Sequence, residues 1–287
     1  MDKPKPPIGR PVPWDDVTSF ICYYGEFNEN MGLFDVAILE SNNFMEHQVN
    51  WLKTHKTYTI AYISVGEDSS LQVGDGLGPG GYASYYIDRD GEPAKNNNWN
   101  SFFVNAGSPL WQEVIIKRAG EILAMGCDGL FMDTIDTAQA FPSTREGMAS
   151  LIKALKEAYP DAKLVANRGM FMLEDFAPYI SGMIFEDFTN GYDFNKREYK
   201  PHSENDLKWT GNEADKINKV RQEHYFPVFA LDYSDPSDTA TIQKCYDRAW
   251  EYDFLPNVSV IRLDRVLWHD VVPQTVRGAK SGLTRWE

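Results

Sequence analysis

The sequence predicts an α/β chain folded as a single-domain (β/α)8 TIM barrel, on two observations. Eight short β-rich runs recur from one end of the chain to the other, with helical patterns of recognisable ends between them. The chain has 287 residues, against the ~250 typical of such barrels. The competing architecture with the same alternation is an open, doubly wound sheet.

Residues 1–14 carry proline at positions 4, 6, 7, 11 and 13 and lack the apolar stretch of a signal peptide. They are expected to form an extended lead-in, as would the stub left after a targeting segment is removed, with the barrel over 15–287. The eight strands are expected at 19–25, 36–41, 59–65, 129–133, 164–167, 182–188, 228–232 and 258–264. Ser108 as N-cap and Pro109 at the first helical position open a helix in which Trp111, Val114, Ile115, Ile122 and Leu123 recur at helical spacing up to Gly126. Ser143 and Glu146 form a capping box ahead of Met148, Leu151, Ile152 and Leu155, with Pro160 just past the end. Asp235 and Pro236 open a third helix, with Ile242, Cys245, Tyr246 and Ala249 on its inner face.

The segment 67–107, rich in glycine, asparagine and aromatics, is too long for an ordinary βα turn and predicts a functional loop at the barrel mouth. Its Tyr82, Tyr85, Tyr86 and Trp99 suit two roles equally: stacking platforms for sugar rings, or the core of a satellite cluster under the loop. A second irregular stretch, 189–211, is expected to form another wall.

Composition narrows the chemistry. Lys+Arg 28 against Asp+Glu 42 gives a formal net charge of −14, which repels nucleic-acid phosphates and favours neutral or cationic partners. Apolar runs are far short of the ~20 residues a membrane span needs. Cys22, Cys127 and Cys245 are scattered among apolar residues and read as buried free thiols. The five histidines fall at no metal-ligand spacing, which disfavours a zinc hydrolase.

A barrel builds its chemistry at the C-terminal ends of its strands. In chain order those ends carry Tyr24; Glu40; Glu67; Asp133 with Asp136; Asn167 and Arg168; Glu186 and Asp187; Asp232 and Tyr233; and Arg262 with Asp264. No lysine for a Schiff base, no histidine for an amidohydrolase, and no glycine-rich phosphate turn after the seventh strand stands among them. Chemistry run by carboxylates remains: glycoside hydrolysis by a pair, or a magnesium-assisted reaction. Asp133 ends the apolar run GLFMD and Glu186 follows GMIF, where a charge is costly unless it faces a cleft or has partners. A structural carboxylate held by an arginine or an amide fits either position equally well. Asp136 and Asp187 fit loop hydrogen-bonding or helix capping better.

The runs YYG at 23–25, AYISVGE at 61–67, GCDGLFMDTID at 126–136, VANRG at 165–169 and FALDY at 229–233 resemble the endo-α-1,4-polygalactosaminidase-like glycoside hydrolases, in order and over nearly the whole chain. The resemblance implies a (β/α)8 barrel without cofactor or metal, an endo-acting and retaining glycosidase, Asp133 as nucleophile and Glu186 as general acid/base. It implies an amino-sugar polysaccharide substrate, and position at the strand ends and in the aromatic loop makes Tyr24, Glu40, Glu67, Tyr82, Trp99, Asp136, Asn167, Asp232, Tyr233 and Arg262 the expected substrate contacts. The acidic charge balance suits a polymer carrying free amines. A monomer acting in a secreted, periplasmic or surface-anchored setting is expected. Two alternatives stay open: a non-catalytic carbohydrate-binding barrel in which the carboxylates do not meet, and a magnesium-dependent enzyme with Glu40, Asp133 and Asp232 as ligands.

Overall fold

The computed structural model describes residues 12–267. Eight parallel strands follow one another in sequence order around a nearly closed barrel: β1 (Phe20–Tyr23), β2 (Val36–Leu39), β3 (Tyr58–Ser64), β4 (Gly129–Asp133), β5 (Lys163–Asn167), β6 (Gly182–Glu186), β7 (Val228–Tyr233) and β8 (Leu255–Ser259). β1 and β8 lie side by side, so the sheet curls back on itself. The open-sheet alternative is thereby set aside.

Strand alternation sorts the side chains into two cores. Phe20, Cys22, Val36, Ile38, Ile60, Phe131, Val165, Ile184, Phe229 and Leu231 fill the barrel interior. Their in-between neighbours, among them Leu130, Met132, Leu164, Ala166, Met183, Val228 and Ala230, pack outward against the helices. Trp14 plugs the interior from below, edge-on to Tyr58 at 5.2 Å and to Phe229 at 6.2 Å, and its indole donates to the Ser181 carbonyl. Truncating a buried aromatic of this size costs about 3–5 kcal/mol. The tail of the proline-rich lead-in is thus anchored, while positions 1–11 lie outside the described residues.

The helices are α1 (Glu46–Thr54), α2 (Pro109–Ala124), α3 (Thr137–Ala140), α4 (Arg145–Ala158), α5 (Leu173–Phe176), α6 (Glu204–Arg221) and α7 (Thr239–Glu251). Four sequence expectations need correcting. β8 starts three residues before Val258 and ends at Ser259, so Arg262 and Asp264 belong to the following loop. The Ser143–Glu146 capping box does not form, because Pro142–Thr144 is a 3-10 turn and α4 starts after it. α7 is capped by Asp238, which accepts from the Thr241 amide, rather than by Asp235. The stretch 189–211 is a hairpin, Asn190–Asp193 with Glu198–Pro201, followed at once by α6, which Ser203 and Asp206 cap reciprocally. The long loop after β3 carries no α-helix but short paired strands, Glu67–Asp68, Lys95–Asn96 and Ser101–Phe103 in one sheet and Asp88–Arg89 with Glu92–Pro93 in another. All three cysteines are buried free thiols, as expected.

Candidate active site

Three neighbouring strands end in the polar residues Asp133, Asn167 and Glu186, and each is followed by a residue with positive φ: Thr134 (66°), Arg168 (55°) and Asp187 (54°). Left-handed backbone at a non-glycine residue is uncommon, and at β-branched Thr134 it is strained. Hydrogen bonds hold it: Thr134 Oγ1 pairs with Ser64 Oγ at 2.9 Å and accepts from the Gly66 amide at 2.8 Å. Only glycine fits at position 66, since a Cβ there would stand 2.2 Å from the Thr134 carbonyl oxygen. The turn breaks each strand sharply, immediately after its last inward-facing side chain.

Asn167 joins the two carboxylates. Its Nδ2 donates to Asp133 Oδ1 at 2.8 Å and to Glu186 Oε2 at 3.1 Å. Two hydrogen bonds of ordinary length from one nitrogen keep the nearest carboxylate oxygens within about 6 Å of each other. Because only the NH2 end of the amide can donate, Asn167 Oδ1 must face the other way; it is buried and finds no hydrogen-bond partner among the described residues. An unsatisfied buried carbonyl costs about 1–3 kcal/mol, and a substrate hydroxyl or amine would recover it.

Each carboxylate also takes a phenol. Tyr62 donates to Asp133 Oδ2 at 2.9 Å, and Tyr233 donates to Glu186 Oε1 at 2.5 Å. Tyr24 lies edge-on to Tyr62 at 6.0 Å. Burial and the surrounding carboxylates push all three phenols well above their ordinary pKa, so they remain donors. The Asp133 carboxyl is itself pushed up, chiefly by burial, against the lowering effect of the Asn167 donor and with a further push from the Glu186 charge. At its flank, Asp187 is raised to about 7, by burial first and then by Glu186, in spite of the Arg168 guanidinium 3.3 Å away.

Tyr24, Asn167 and Tyr233 join Asp133 and Glu186 as expected. Glu40 stands at the β2 end on the side of Tyr62, with its Oε1 accepting from Asn42. Asp232 and Glu67 make no hydrogen bond to the carboxylate pair, although the Glu67 charge, like that of Glu40, acts on Tyr62. β7 turns Phe229, Leu231 and Tyr233 inward, so Asp232 faces the helix layer, where its Oδ1 accepts the Thr189 and Asn190 amides at 2.6 and 2.9 Å and anchors the hairpin base. Glu67 is spent on the long loop, accepting from Asn96 Nδ2 at 3.0 Å and from Ser101 Oγ. Asp136 is exposed and lines a side groove with Arg145 and Arg168. Arg262 is exposed and pairs with Asp264 at 3.7 Å. Tyr82 is half-buried against the outer core, and Tyr85 and Tyr86 are buried with both hydroxyls on Asp68. Of the loop aromatics, Trp99 is 67% exposed.

Tyr62 is absent from the strand-end residues because it lies two positions before the end of β3, yet alternation with Ile60 turns it inward. The magnesium set does not converge, because Asp133 points into the barrel and Asp232 away from it. Asp133 and Glu186, which the non-catalytic alternative requires to stand apart, are brought together on the Asn167 amide.

A barrel with two carboxylates facing one another at the C-terminal ends of its strands has the architecture of a glycosidase. The chain belongs to glycoside-hydrolase family GH114, whose model matches residues 8–278. The glycoside hydrolase domain of PelA from Pseudomonas aeruginosa is similar at 26% identity and TM-score 0.73, covering 87% of this chain and 97% of that one. Ega3 from Aspergillus fumigatus, solved in complex with galactosamine, shares the fold at 14% identity and TM-score 0.64, covering 89% and 98%. An α-galactosidase from Thermus thermophilus shares it at 15% identity and TM-score 0.55, covering 98% and 63%. No curated protein sequence matches the chain. Among the described residues no helix is long and apolar enough to cross a membrane.

Proposed function

We propose that this glycosidase cleaves α-linked galactosamine-type polysaccharide within the chain, with Asp133 as nucleophile and Glu186 as general acid/base. The observation that carries the reading is the Asn167 amide held between the two carboxylates at 2.8 and 3.1 Å. A nearest-oxygen separation of about 6 Å or less is compatible with the ~5–5.5 Å of retaining enzymes and falls short of the ~6.5–9.5 Å that leaves room for an inverting water. In the first step Glu186 gives its proton to the glycosidic oxygen while an Asp133 oxygen bonds to the anomeric carbon and the glycosidic bond breaks. Glu186 then takes a proton from water, whose oxygen displaces Asp133 and frees the sugar. Asn167 and the phenols of Tyr62 and Tyr233 hold both carboxylates in register through these exchanges, a geometric requirement worth several powers of ten in rate.

The amine preference is supported by charge. Glu40, Asp133, Glu186 and Asp187 stand at the C-terminal strand ends of a protein with net charge −14. The PelA domain and the galactosamine-bound Ega3 are similar proteins. A polymeric glycan substrate also fits an enzyme that works outside the cytoplasm. The test is hydrolysis of a panel of amino-sugar polymers at rising ionic strength. Turnover of the free-amine polymer, with a KM that rises as salt screens the attraction, supports the reading. Equal or better turnover of the fully N-acetylated polymer, or a KM indifferent to salt, contradicts it.

A further inference from the structure

Two exposed aromatic side chains meet over the catalytic face, each at the tip of a hairpin. Trp99 sits in the turn between the short strands Lys95–Asn96 and Ser101–Phe103, in the loop after β3. Phe194 starts the turn of the hairpin Asn190–Asp193 with Glu198–Pro201, in the loop after β6. β3 and β6 are three places apart in the sheet, with β4 and β5 between them, so the contact spans part of the mouth. The rings pack edge to face at 5.6 Å, Phe194 packs in turn on Tyr192 at 5.2 Å, and yet Trp99 remains 67% and Phe194 58% exposed. Solvent-facing aromatic surface of this extent is unfavourable unless something covers it.

Both tips are held rigidly. The buried Glu67 carboxylate grips the Trp99 hairpin on either side of its turn, through Asn96 Nδ2 and Ser101 Oγ. Asp193 accepts the Asn195 and Lys196 amides at 3.0 Å each and fixes the Phe194 turn, while Asp232 and the Tyr233 carbonyl hold the base of the same hairpin through Asn190. The rings border a cavity of about 520 Å³ lined also by Asn98, Asn195 and Lys200. That size suits a small-molecule or sugar site. Aromatic faces flanked by side-chain amides match a pyranose, with its C–H face on the ring and its hydroxyls to the amides. Asp193 and Lys200 offset each other, so no net charge is demanded of the occupant.

We infer that Trp99, Phe194 and Tyr192 form a remote subsite that stacks a sugar unit of the same polysaccharide several residues away from the scissile bond. The inference rests on the glycosidase reading, and it explains how a chain could be held across the mouth for internal cleavage.

The test titrates α-1,4-linked galactosamine dimer and hexamer into the Glu186→Gln protein and into the same protein carrying Trp99→Ala or Phe194→Ala. Loss of one stacking partner is expected to weaken the hexamer about five- to tenfold and the dimer less than twofold. The loss should be equal at low and high salt, because stacking is not screened. Equal weakening of dimer and hexamer, or no weakening of the hexamer, overturns the subsite. If the parent protein binds neither oligomer, the amino-sugar reading fails on its own. The titration is then repeated with neutral hexose hexamers, where a loss with Trp99→Ala upholds the platform and its absence rejects it.

Discussion

The Tyr233 hydroxyl donates to Glu186 Oε1 at 2.5 Å, and Tyr62 does the same for Asp133 Oδ2 at 2.9 Å, so each carboxylate of the pair has its own phenol and shares Asn167 with the other. The symmetry has a kinetic consequence. A hydrogen bond to a charged group contributes about 1.5–3 kcal/mol, and these bonds orient groups that must be aligned when the glycosidic bond breaks. Tyr233→Phe is expected to lower kcat about 10- to 100-fold with little change in KM. Steady-state kinetics on a defined oligosaccharide check this; a KM effect with kcat intact would make Tyr233 a binding residue only.

Burial opposes a charge on Asp133 and pushes its carboxyl up. A carboxyl whose pKa is raised in the fold binds its proton more tightly there than in the unfolded chain, so its destabilising effect grows as pH rises above the ordinary carboxylate range. Asp133→Asn removes the charge and keeps the shape. Its Tm should exceed that of the wild type at pH 8, with the difference vanishing below about pH 4. Thermal unfolding at both pH values is the measurement, and a variant less stable at pH 8 would show that the Asn167 and Tyr62 donors outweigh desolvation.

Asp187 follows the same sign in a defined window. With its pKa at about 7 in the fold and ~3.9 when unfolded, stability is fully present below about pH 4 and declines as pH rises through 7. Asp232, at about 6, and Asp133 act in the same direction. The difference between wild type and Asp187→Asn isolates the one group, and asparagine tolerates the 54° φ at this position. The variant's advantage in Tm should grow between pH 4 and pH 7 and then level off. A pH-independent difference would place the effect in packing against Gly191.

Much of the fold is legible in the chain itself. Seven of the strands follow from short apolar runs, and the inward carboxylates at 133 and 186 from the two of those runs that end in a charge. β8 is displaced from its expected position because Leu255, Pro256 and Asn257 have the composition of a loop, proline being rare in a strand, while the apolar residues from Val258 onward have that of a strand. α6 carries a weak sequence signal because its exposed face is polar and Gly211 interrupts it at the close approach to Tyr252. Strand-end position alone points Asp232 and Glu67 to the cleft. Counting alternation back from Tyr233 turns Asp232 outward, but nothing local reveals that Glu67 would be consumed by Asn96 and Ser101, contacts 29 and 34 residues away in sequence.

The most direct measurement is turnover of an α-1,4-galactosamine oligomer by the wild type, Asp133→Asn and Glu186→Gln, with the anomer of the first product followed by NMR and folding checked by circular dichroism. The account predicts internal cleavage with retained configuration by the wild type and a loss of at least about 10³-fold in both folded variants, as expected when a group acting in the transition state is removed. An activated aryl glycoside, which needs no proton, should recover part of the activity of Glu186→Gln and none of that of Asp133→Asn. Near wild-type cleavage of the oligomer by either folded variant would contradict the assignment of the pair.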